Sequence, residues 1–233
     1  SFDLKCNWKV AMEANMEVYH VPFIHPDTVA PLVDSKRNVN TIYPNGHARM
    51  LAPAPQDSSR EHVRALDSPP NWQEIEGVGE FGRTCTQSYT MFPNWVSPLS
   101  NYFVPPLIFW PTSLNTTRIE LVTMAMDWGD GPAPDLWTVP DDSKPNGRDM
   151  SPIILEDTQF GEMIQKSMES DGFKSVPLSY QEARIYSFHQ TCDKMIGPNR
   201  VPEHLAVEQV IGEEWVYPND PRVAEMEQLE AAE

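Results

Sequence analysis

The order of secondary-structure signals along the chain predicts an α+β domain with an antiparallel sheet. A run of helix formers lies near the start, β-like runs fill the middle, and a long helix with clear start and stop signals lies near the end. Strands that are grouped between helices, rather than alternating with them, favour an antiparallel sheet covered by helices. The 233 residues, 40% of them hydrophobic, are enough for one substantial core.

The first helix is predicted over residues 10–20, which are mostly good helix formers and include neither Pro nor Gly. Pro22 is expected to end this helix within a turn of His20, because Pro lacks an N–H and clashes with the preceding turn. On such a helix, Glu17 and His20 lie about 60° apart and share one face. His25 can then fold back beside His20.

Glu17, His20 and His25 form a Glu-x-x-His-x-x-x-x-His motif, which indicates a candidate metal site. Zinc, iron and copper all accept imidazole, so two histidines do not define the metal. The common zinc-protease motif places its histidines four residues apart with Glu between them. A spacing of five with apolar residues between suits a site whose third ligand is a distant carboxylate. Two histidines hydrogen-bonded near a helix end would show the same spacing, so the spacing leaves both interpretations open.

The middle of the chain predicts strands separated by loops. Residues 83–92 are rich in Thr, Ser and Tyr, and residues 118–126 alternate well enough for a half-buried strand. Residues 101–110 are apolar and aromatic with a pair of prolines, which indicates an edge strand or a pocket wall. Residues 52–70 and 127–152 are predicted to be long loops, because Pro, Gly and Asp cluster there.

The last third of the chain predicts two helices and a tail. Residues 156–168 carry an apolar stripe, with Asp157 in the first turn, where a carboxylate is favoured as the anion. By composition alone, Glu156 and Asp157 are ordinary helix-start acids. Residues 179–196 begin with a Ser-x-x-Glu capping box and end at Gly-Pro. Residues 224–233 are predicted to be a short acidic helix or tail.

Charge and cysteine content exclude several classes of function. The chain has 34 acidic and 17 basic residues and a net charge of −17, which argues against a nucleic-acid partner because phosphates would be repelled. No stretch approaches the apolar length that spans a membrane. The three cysteines follow no pairing pattern, which argues against a disulfide-built secreted fold and predicts a reducing, cytoplasmic location.

Residues 7–26 resemble the iron-ligand segment in the catalytic domain of Rieske non-haem iron oxygenases, within their large (alpha) subunits. That family carries Asn-Trp-Lys, an acidic residue and then Asp/Glu-x-x-His-x-x-x-x-His, often followed by Pro, and all of these elements are present. Residues 155–157 (Leu-Glu-Asp) resemble the segment that supplies the family's carboxylate ligand. Residues 92–94 (Phe-Pro-Asn) resemble a recurrent motif in the middle of these domains. The resemblance spans most of the chain.

The resemblance implies a role for each of four residues. His20 and His25 would bind a mononuclear Fe(II) through imidazole nitrogen, and Asp157 would be the carboxylate ligand. Glu17 would be a catalytic residue that bridges to the Rieske cluster of a neighbouring subunit. Many members have Asp at that position, so the longer side chain changes the reach of the bridge. The implied fold is a helix-grip (START-like) domain, with a curved antiparallel sheet around a long C-terminal helix.

The implied activity is that of an oxygenase that uses O₂ to hydroxylate an aromatic or other apolar substrate. Electrons would come from a [2Fe-2S] Rieske cluster on a neighbouring subunit, itself fed by a reductase or ferredoxin, which implies a homotrimer. Such a cluster needs two Cys and two His ligands. The chain has neither a Cys-x-His nor a Cys-x-x-His pair. Residues 1–233 are therefore expected to form the catalytic domain, with the Rieske domain absent from this chain.

Two other functions stay open at this point. Helix-grip domains also carry apolar ligands without a metal or catalysis, and iron in the purified protein would argue against such a binding module. A zinc hydrolase could use the same histidines, and metal identity together with O₂ consumption would separate it. Apolar residues that could line a pocket, or equally pack in the core, are Phe23, Phe92, Phe103, Phe109 and Trp110.

Overall fold

The structure, a computed structural model, describes residues 1–56, 73–99, 101–122, 124–125, 130 and 152–218. The predicted tail at 224–233 lies outside these residues. Most of the loop predicted at 52–70 and nearly all of the loop predicted at 127–152 lie outside them as well.

Nine strands are present in the described part of the chain. They are β1 (Phe2–Leu4), β2 (Val39–Ile42), β3 (Ala48–Pro53), β4 (Cys85–Met91), β5 (Trp95–Leu99), β6 (Phe103–Val104), β7 (Leu107–Ser113), β8 (Thr116–Leu121) and β9 (Met124–Ala125). Seven of them form one sheet in the order β1-β8-β7-β5-β4-β3-β2, and every neighbouring pair is antiparallel. The remaining two, β6 and β9, pair with each other.

Six α-helices accompany the sheet within the described ranges. They are α1 (Trp8–Glu13), α2 (Val21–Ile24), α3 (Gly79–Thr84), α4 (Pro152–Thr158), α5 (Gly161–Met168) and α6 (Ala183–Ile196). None of these helices combines the length and the apolar character needed to cross a bilayer.

The long helix α6 has the start and stop that the sequence predicts. Ser179 and Glu182 form the capping box, with a short 3-10 turn before the helix proper. Gly197 ends the helix with φ of 100°, a conformation that favours glycine. The prediction of an α+β helix-grip domain is confirmed, because the curved antiparallel sheet packs around this helix.

Two hydrophobic clusters join the sheet to the helices. The larger cluster brings residues of α1 and α6 against β5, β7 and β8, and includes Met12, Phe188, Val96, Phe109 and Ile119. The smaller cluster packs the region around α2 against β3, and consists of Val18, Val21, Val33, Met50 and Ala52. The segment that carries the Glu-x-x-His-x-x-x-x-His motif is thus held against the sheet by its apolar residues, since burial of each such side chain contributes about 1.5–3 kcal/mol.

The prediction of a continuous helix over residues 10–20 is wrong. Helix α1 ends at Glu13, and His20 instead lies directly before the single turn of α2. Pro22 is at the second position of α2, where the first-turn amides have no helical partner. After the end of α1, the carbonyls of Asn15 and Met16 accept hydrogen bonds from the side chain of Arg184.

The helix predicted over residues 156–168 is divided in two, and Asp157 lies in the last turn of α4 rather than in a first turn. The predicted stabilisation of the anionic Asp157 by a helix N-terminus therefore does not apply. The chain turns between α4 and α5 so that Gly161 is buried against Cys6, whose Sγ lies 3.1 Å from the place a Cβ would take.

The apolar run at 101–110, predicted as an edge strand or a pocket wall, holds β6 of the two-stranded sheet and the first half of β7, a strand of the larger sheet. Strand β7 lies inside the sheet, between β5 and β8, although it pairs with β5 at only two positions. Strand β4 occupies most of the run predicted at 83–92, whereas the run predicted at 118–126 holds the second half of β8 and then β9.

Candidate metal centre

Two histidines and an aspartate from distant parts of the chain converge on one point. His20, His25 and Asp157 each offer a ligand atom, and these atoms lie within 4.8 Å of one another. Asp157 Oδ1 is 3.4 Å from His20 Nε2 and 2.7 Å from His25 Nε2. The two imidazole rings are 5.1 Å apart, with their planes at 70°. The structure thus brings together the three residues that the sequence resemblance implies as ligands.

The single turn of α2 sets the two histidines side by side. His20 precedes the turn, and His25 follows it with its amide bonded to the carbonyl of Val21 at 2.9 Å. The amide of Ile24 bonds to the carbonyl of His20 at 2.8 Å, and the backbone leaves the helical conformation at His25, where φ is −121° and ψ is 45°. The buried Val21 anchors α2 to the smaller hydrophobic cluster, which leaves the histidines on the side that faces Asp157.

The other ring nitrogen of each histidine is held by a glutamate. Glu17 Oε1 contacts His20 Nδ1, and Glu156 Oε2 lies 2.7 Å from His25 Nδ1. Thr28 donates its hydroxyl proton to the same oxygen of Glu156 at 2.6 Å. A carboxylate on Nδ1 keeps the proton there and directs the Nε2 lone pair towards a metal. No such role was predicted for Glu156, and its position next to Asp157 was the signal available in the sequence.

The charges at the site favour protonated imidazoles when no cation is bound. Burial lowers the pKa of His20, but its contacts with Asp157 and Glu17 outweigh burial and raise the pKa to about 9. Burial likewise opposes protonation of His25, yet Asp157 and Glu156 raise its pKa. Burial raises the pKa of the Asp157 carboxyl, but the two histidines lower it below its ordinary value. A bound cation would replace these protons, because metal ligands must be deprotonated.

The centre is largely shielded from water. The side chain of His25 is 2% exposed, that of Asp157 11% and that of Glu17 14%. A cavity of about 20 Å³ lies beside Asp157, between α1 and α5, with room for about one water molecule. Its apolar walls include Leu4, Val10 and Ile119.

The aromatic residues considered as pocket formers do not gather at the centre. Phe109 is fully buried in the larger cluster, and Phe92 packs against Phe188 there. Phe23 is 82% exposed and Trp110 47% exposed. The side chain of Phe103 lies outside the described residues. The four whose side chains are described therefore do not line one common pocket.

The donor set fits a ferrous ion. Two imidazole nitrogens and one carboxylate oxygen on one side of a centre make the 2-His-1-carboxylate arrangement, which leaves positions open for other ligands. Glutamates on both Nδ1 atoms fix the ring orientations that such a site needs.

Comparison with known proteins agrees with this fold. The family model described as ring hydroxylating alpha subunit (catalytic domain) matches residues 1–198. A structure of the quaternary ammonium Rieske monooxygenase CntA with the inhibitor MMV12 superposes with a TM-score of 0.52 at 16% identity, over 80% of this chain and 45% of that chain.

A second structure of a quaternary ammonium Rieske monooxygenase, described in connection with carnitine oxidation and inter-subunit electron transfer, gives a TM-score of 0.53 at 14% identity. It covers 83% of this chain and 48% of that chain. The present chain thus spans just under half the length of these similar chains, and at such identities the likeness shows the fold alone. No curated protein matches the sequence.

Proposed function

The chain belongs to the family of ring-hydroxylating alpha-subunit catalytic domains, and from this premise we propose that residues 1–233 are the mononuclear-iron catalytic domain of a Rieske-type oxygenase. The observation that carries the proposal is the convergence of His20, His25 and Asp157, with a glutamate behind each imidazole. A ferrous ion in this site would supply the chemistry that activates O₂ beside an organic substrate.

The protein's own groups hold and shield this centre. The Nε2 atoms of His20 and His25 and a carboxylate oxygen of Asp157 are the proposed ligands. Glu156 and Glu17 keep the protons of the imidazoles on Nδ1, which preserves the Nε2 lone pairs. Burial of His25 and Asp157 excludes bulk water from one side of the centre and strengthens the electrostatic interactions there.

Glu17 is proposed to serve electron delivery rather than metal binding. Its carboxylate contacts His20 Nδ1 and still retains some exposure, so a histidine of a neighbouring subunit's Rieske cluster could donate a charge-assisted hydrogen bond to it. This arrangement requires a homotrimer and a reductase or ferredoxin as electron source. The inter-subunit electron transfer named for a similar structure supports the same route.

The proposed substrate is an aromatic or other apolar small molecule, hydroxylated either to a cis-dihydrodiol or to a monohydroxylated product. The family description, ring hydroxylating, supports an aromatic ring. We further propose a cytoplasmic location, which the three unpaired cysteines support.

Metal analysis and turnover of the full-length protein test the proposal. His20→Ala, His25→Ala and Asp157→Asn should each reduce bound iron to below roughly a tenth of the wild-type content. Each should also abolish substrate-dependent O₂ consumption with NADH and a reductase. His204→Ala, which alters an exposed histidine outside the site, is the matched control and should keep both.

Two results would replace the proposal. A wild-type protein that binds an apolar ligand but neither iron nor another metal would be a helix-grip binding module. A wild-type protein that holds zinc and consumes no O₂ would favour a hydrolase that uses the same histidines.

A further inference from the structure

Arg184 on α6 is a fully buried guanidinium whose partners lie on two sides. Towards the sheet, its Nη1 donates to the carbonyl of Ser88 at 3.1 Å, the hydroxyl of Ser88 at 3.2 Å and the hydroxyl of Thr90 at 3.5 Å. Towards the metal-site motif, Nη2 donates to the carbonyl of Asn15 at 3.0 Å and Nε donates to that of Met16. The planar, forked guanidinium is the side chain that can serve acceptors in two directions at once.

The two carbonyls that Arg184 holds are the ones that a continuing helix would need. In an α-helix, the amides of Tyr19 and His20 would donate to the carbonyls of Asn15 and Met16, four residues earlier. In this structure, both amides donate instead to Glu17 Oε2. Arg184 and Glu17 therefore replace two consecutive helical hydrogen bonds, one taking the acceptors and the other taking the donors.

This exchange of partners has a direct consequence for the candidate metal centre. It brings the Glu17 carboxylate onto the backbone of His20, with Oε1 on the imidazole Nδ1 of the same residue. The placement of His25 relative to His20 is set by α2, which lies between them. In a continuing helix, the ring of Pro22 would clash with the carbonyl four residues earlier, that of Val18, and not with the two carbonyls that Arg184 binds.

Two further contacts, one on each side of Asn15 and Met16 in sequence, join this part of the chain to the region of α6. Trp8 packs edge-on against Phe188, with ring centroids 5.6 Å apart. The hydroxyl of Tyr19 lies 2.8 Å from the hydroxyl of Ser179. Arg184 lies between these contacts and is the residue that binds the backbone of the turn.

From this geometry we infer that Arg184 is a positioning residue for the candidate iron site. By binding the carbonyls of Asn15 and Met16, it keeps the turn open and so places Glu17 against the amides and the imidazole that precede α2. Burial lowers the pKa of Arg184, and the nearby negative charge of Glu17 opposes this shift. The significance of the inference for catalysis rests on the proposed function, whereas the role of Arg184 in the turn can be measured without it.

Amide hydrogen exchange in the full-length Arg184→Lys protein measures that role. Lysine keeps the charge but cannot serve both sides of the turn. Exchange at the amides of Tyr19 and His20 should accelerate at least about tenfold, because their acceptor Glu17 is no longer held in place. The amide of Ala11, which bonds to Asn7 within the region of α1, should be unaffected once global stability is matched.

The control is Ile185→Val, the neighbouring buried residue on α6, which loses one methylene and leaves every hydrogen bond of Arg184 intact. It should lower global stability slightly, without selective acceleration at Tyr19 and His20. Equal acceleration in Ile185→Val, or none in Arg184→Lys, would overturn the inference. If Arg184→Lys does not fold, Ser88→Ala provides the second test: it loosens the guanidinium on the sheet side and should accelerate the same two amides about two- to fivefold.

Cobalt substitution then separates this inference from the proposed function. Co(II) bound at the triad should give a visible absorption spectrum that changes in Arg184→Lys and not in Ile185→Val. If the wild-type protein binds no Co(II), the proposed metal site fails, and the exchange rates still decide the role of Arg184. An unchanged spectrum together with accelerated exchange would restrict the effect to the turn and overturn its extension to the metal site.

Discussion

The two candidate histidines have equivalent glutamate partners, but the glutamates are held in different ways. Glu156 also accepts the hydroxyl proton of Thr28. Glu17 also accepts backbone N–H groups on the far side of its carboxylate. Glu156 is therefore positioned by another side chain, whereas Glu17 is tied to the backbone of the histidine that it supports.

We expect Glu156→Gln to weaken metal binding by about 10–100-fold. If the glutamine NH₂ faces His25 Nδ1, the imidazole proton moves to Nε2 and blocks the lone pair that a metal needs. Competition with a chromophoric chelator measures the affinity. Thr28→Val removes only the supporting hydroxyl and should cost less than about tenfold. Wild-type affinity in Glu156→Gln would show that His25 is oriented by its burial alone.

Glu17→Gln should lower turnover by at least an order of magnitude, about 1.4 kcal/mol in the barrier, while iron content at saturating Fe(II) stays near wild type. The substitution keeps the shape and removes the negative charge proposed to meet the neighbouring cluster. Turnover and iron are measured on the same full-length preparation. The matched control is Glu13→Gln, since Glu13 pairs with His189 outside the metal site. Loss of iron in Glu17→Gln would show that Glu17 acts mainly by supporting the ligand His20. Unchanged turnover would show that the proposed bridge to the neighbouring cluster is not needed.

At the scale of secondary-structure elements, local signals predicted what is determined locally. The capping box at Ser179 and the glycine at 197 bracket α6 within a few residues, and both features are present. The break after α1 was not predicted, and the contact that holds the chain there, from Arg184 to the carbonyl of Met16, spans 168 residues of sequence. Helix propensity over residues 10–20 favours a helix, and a tertiary contact overrides it.

The residues of the candidate site also divide into those that a local motif predicts and those that depend on contacts distant in sequence. Glu17, His20 and His25 form a local motif, so their grouping can be read from the sequence. Asp157 was a helix-start acid by composition and became a candidate ligand only through the family resemblance. The role of Glu156 depends on a contact with His25 across 131 residues of sequence, which no spacing rule reports.

The turn between α4 and α5 is expected to depend on the absence of a side chain at Gly161. A Cβ there would lie 3.1 Å from Cys6 Sγ, so Gly161→Val should overpack this contact and cost about 1–3 kcal/mol. Urea unfolding measures the loss. Gly172→Ala, at an exposed position with nothing closer than 4.0 Å to the new Cβ, is the control. Cys6→Ala in the same protein should recover part of the loss, and full additivity of the two changes would contradict the overpacking.

For the whole molecule, the candidate centre depends on parts of the chain that lie far apart in sequence. The segment around α2 supplies two imidazoles, and α4 supplies the carboxylates. Arg184 on α6 binds the backbone that precedes this segment. The larger hydrophobic cluster joins α4 and α6 to the sheet, and the smaller cluster joins the region of α2 to it. Folding and assembly of the centre should therefore be one cooperative event.

A protein made of these 233 residues and loaded with Fe(II) should bind substrate without sustained turnover. Cys6, Cys85 and Cys192 have no histidine within the next two positions, so the sequence contains no pair that could hold a Rieske cluster. With NADH, reductase and a candidate aromatic substrate, product should not accumulate beyond the amount of bound iron. The full-length protein, assayed in parallel, is the control. Steady product formation by the 233 residues would mean that electrons reach the iron directly from the reductase, and the proposed bridging role of Glu17 would then have no basis.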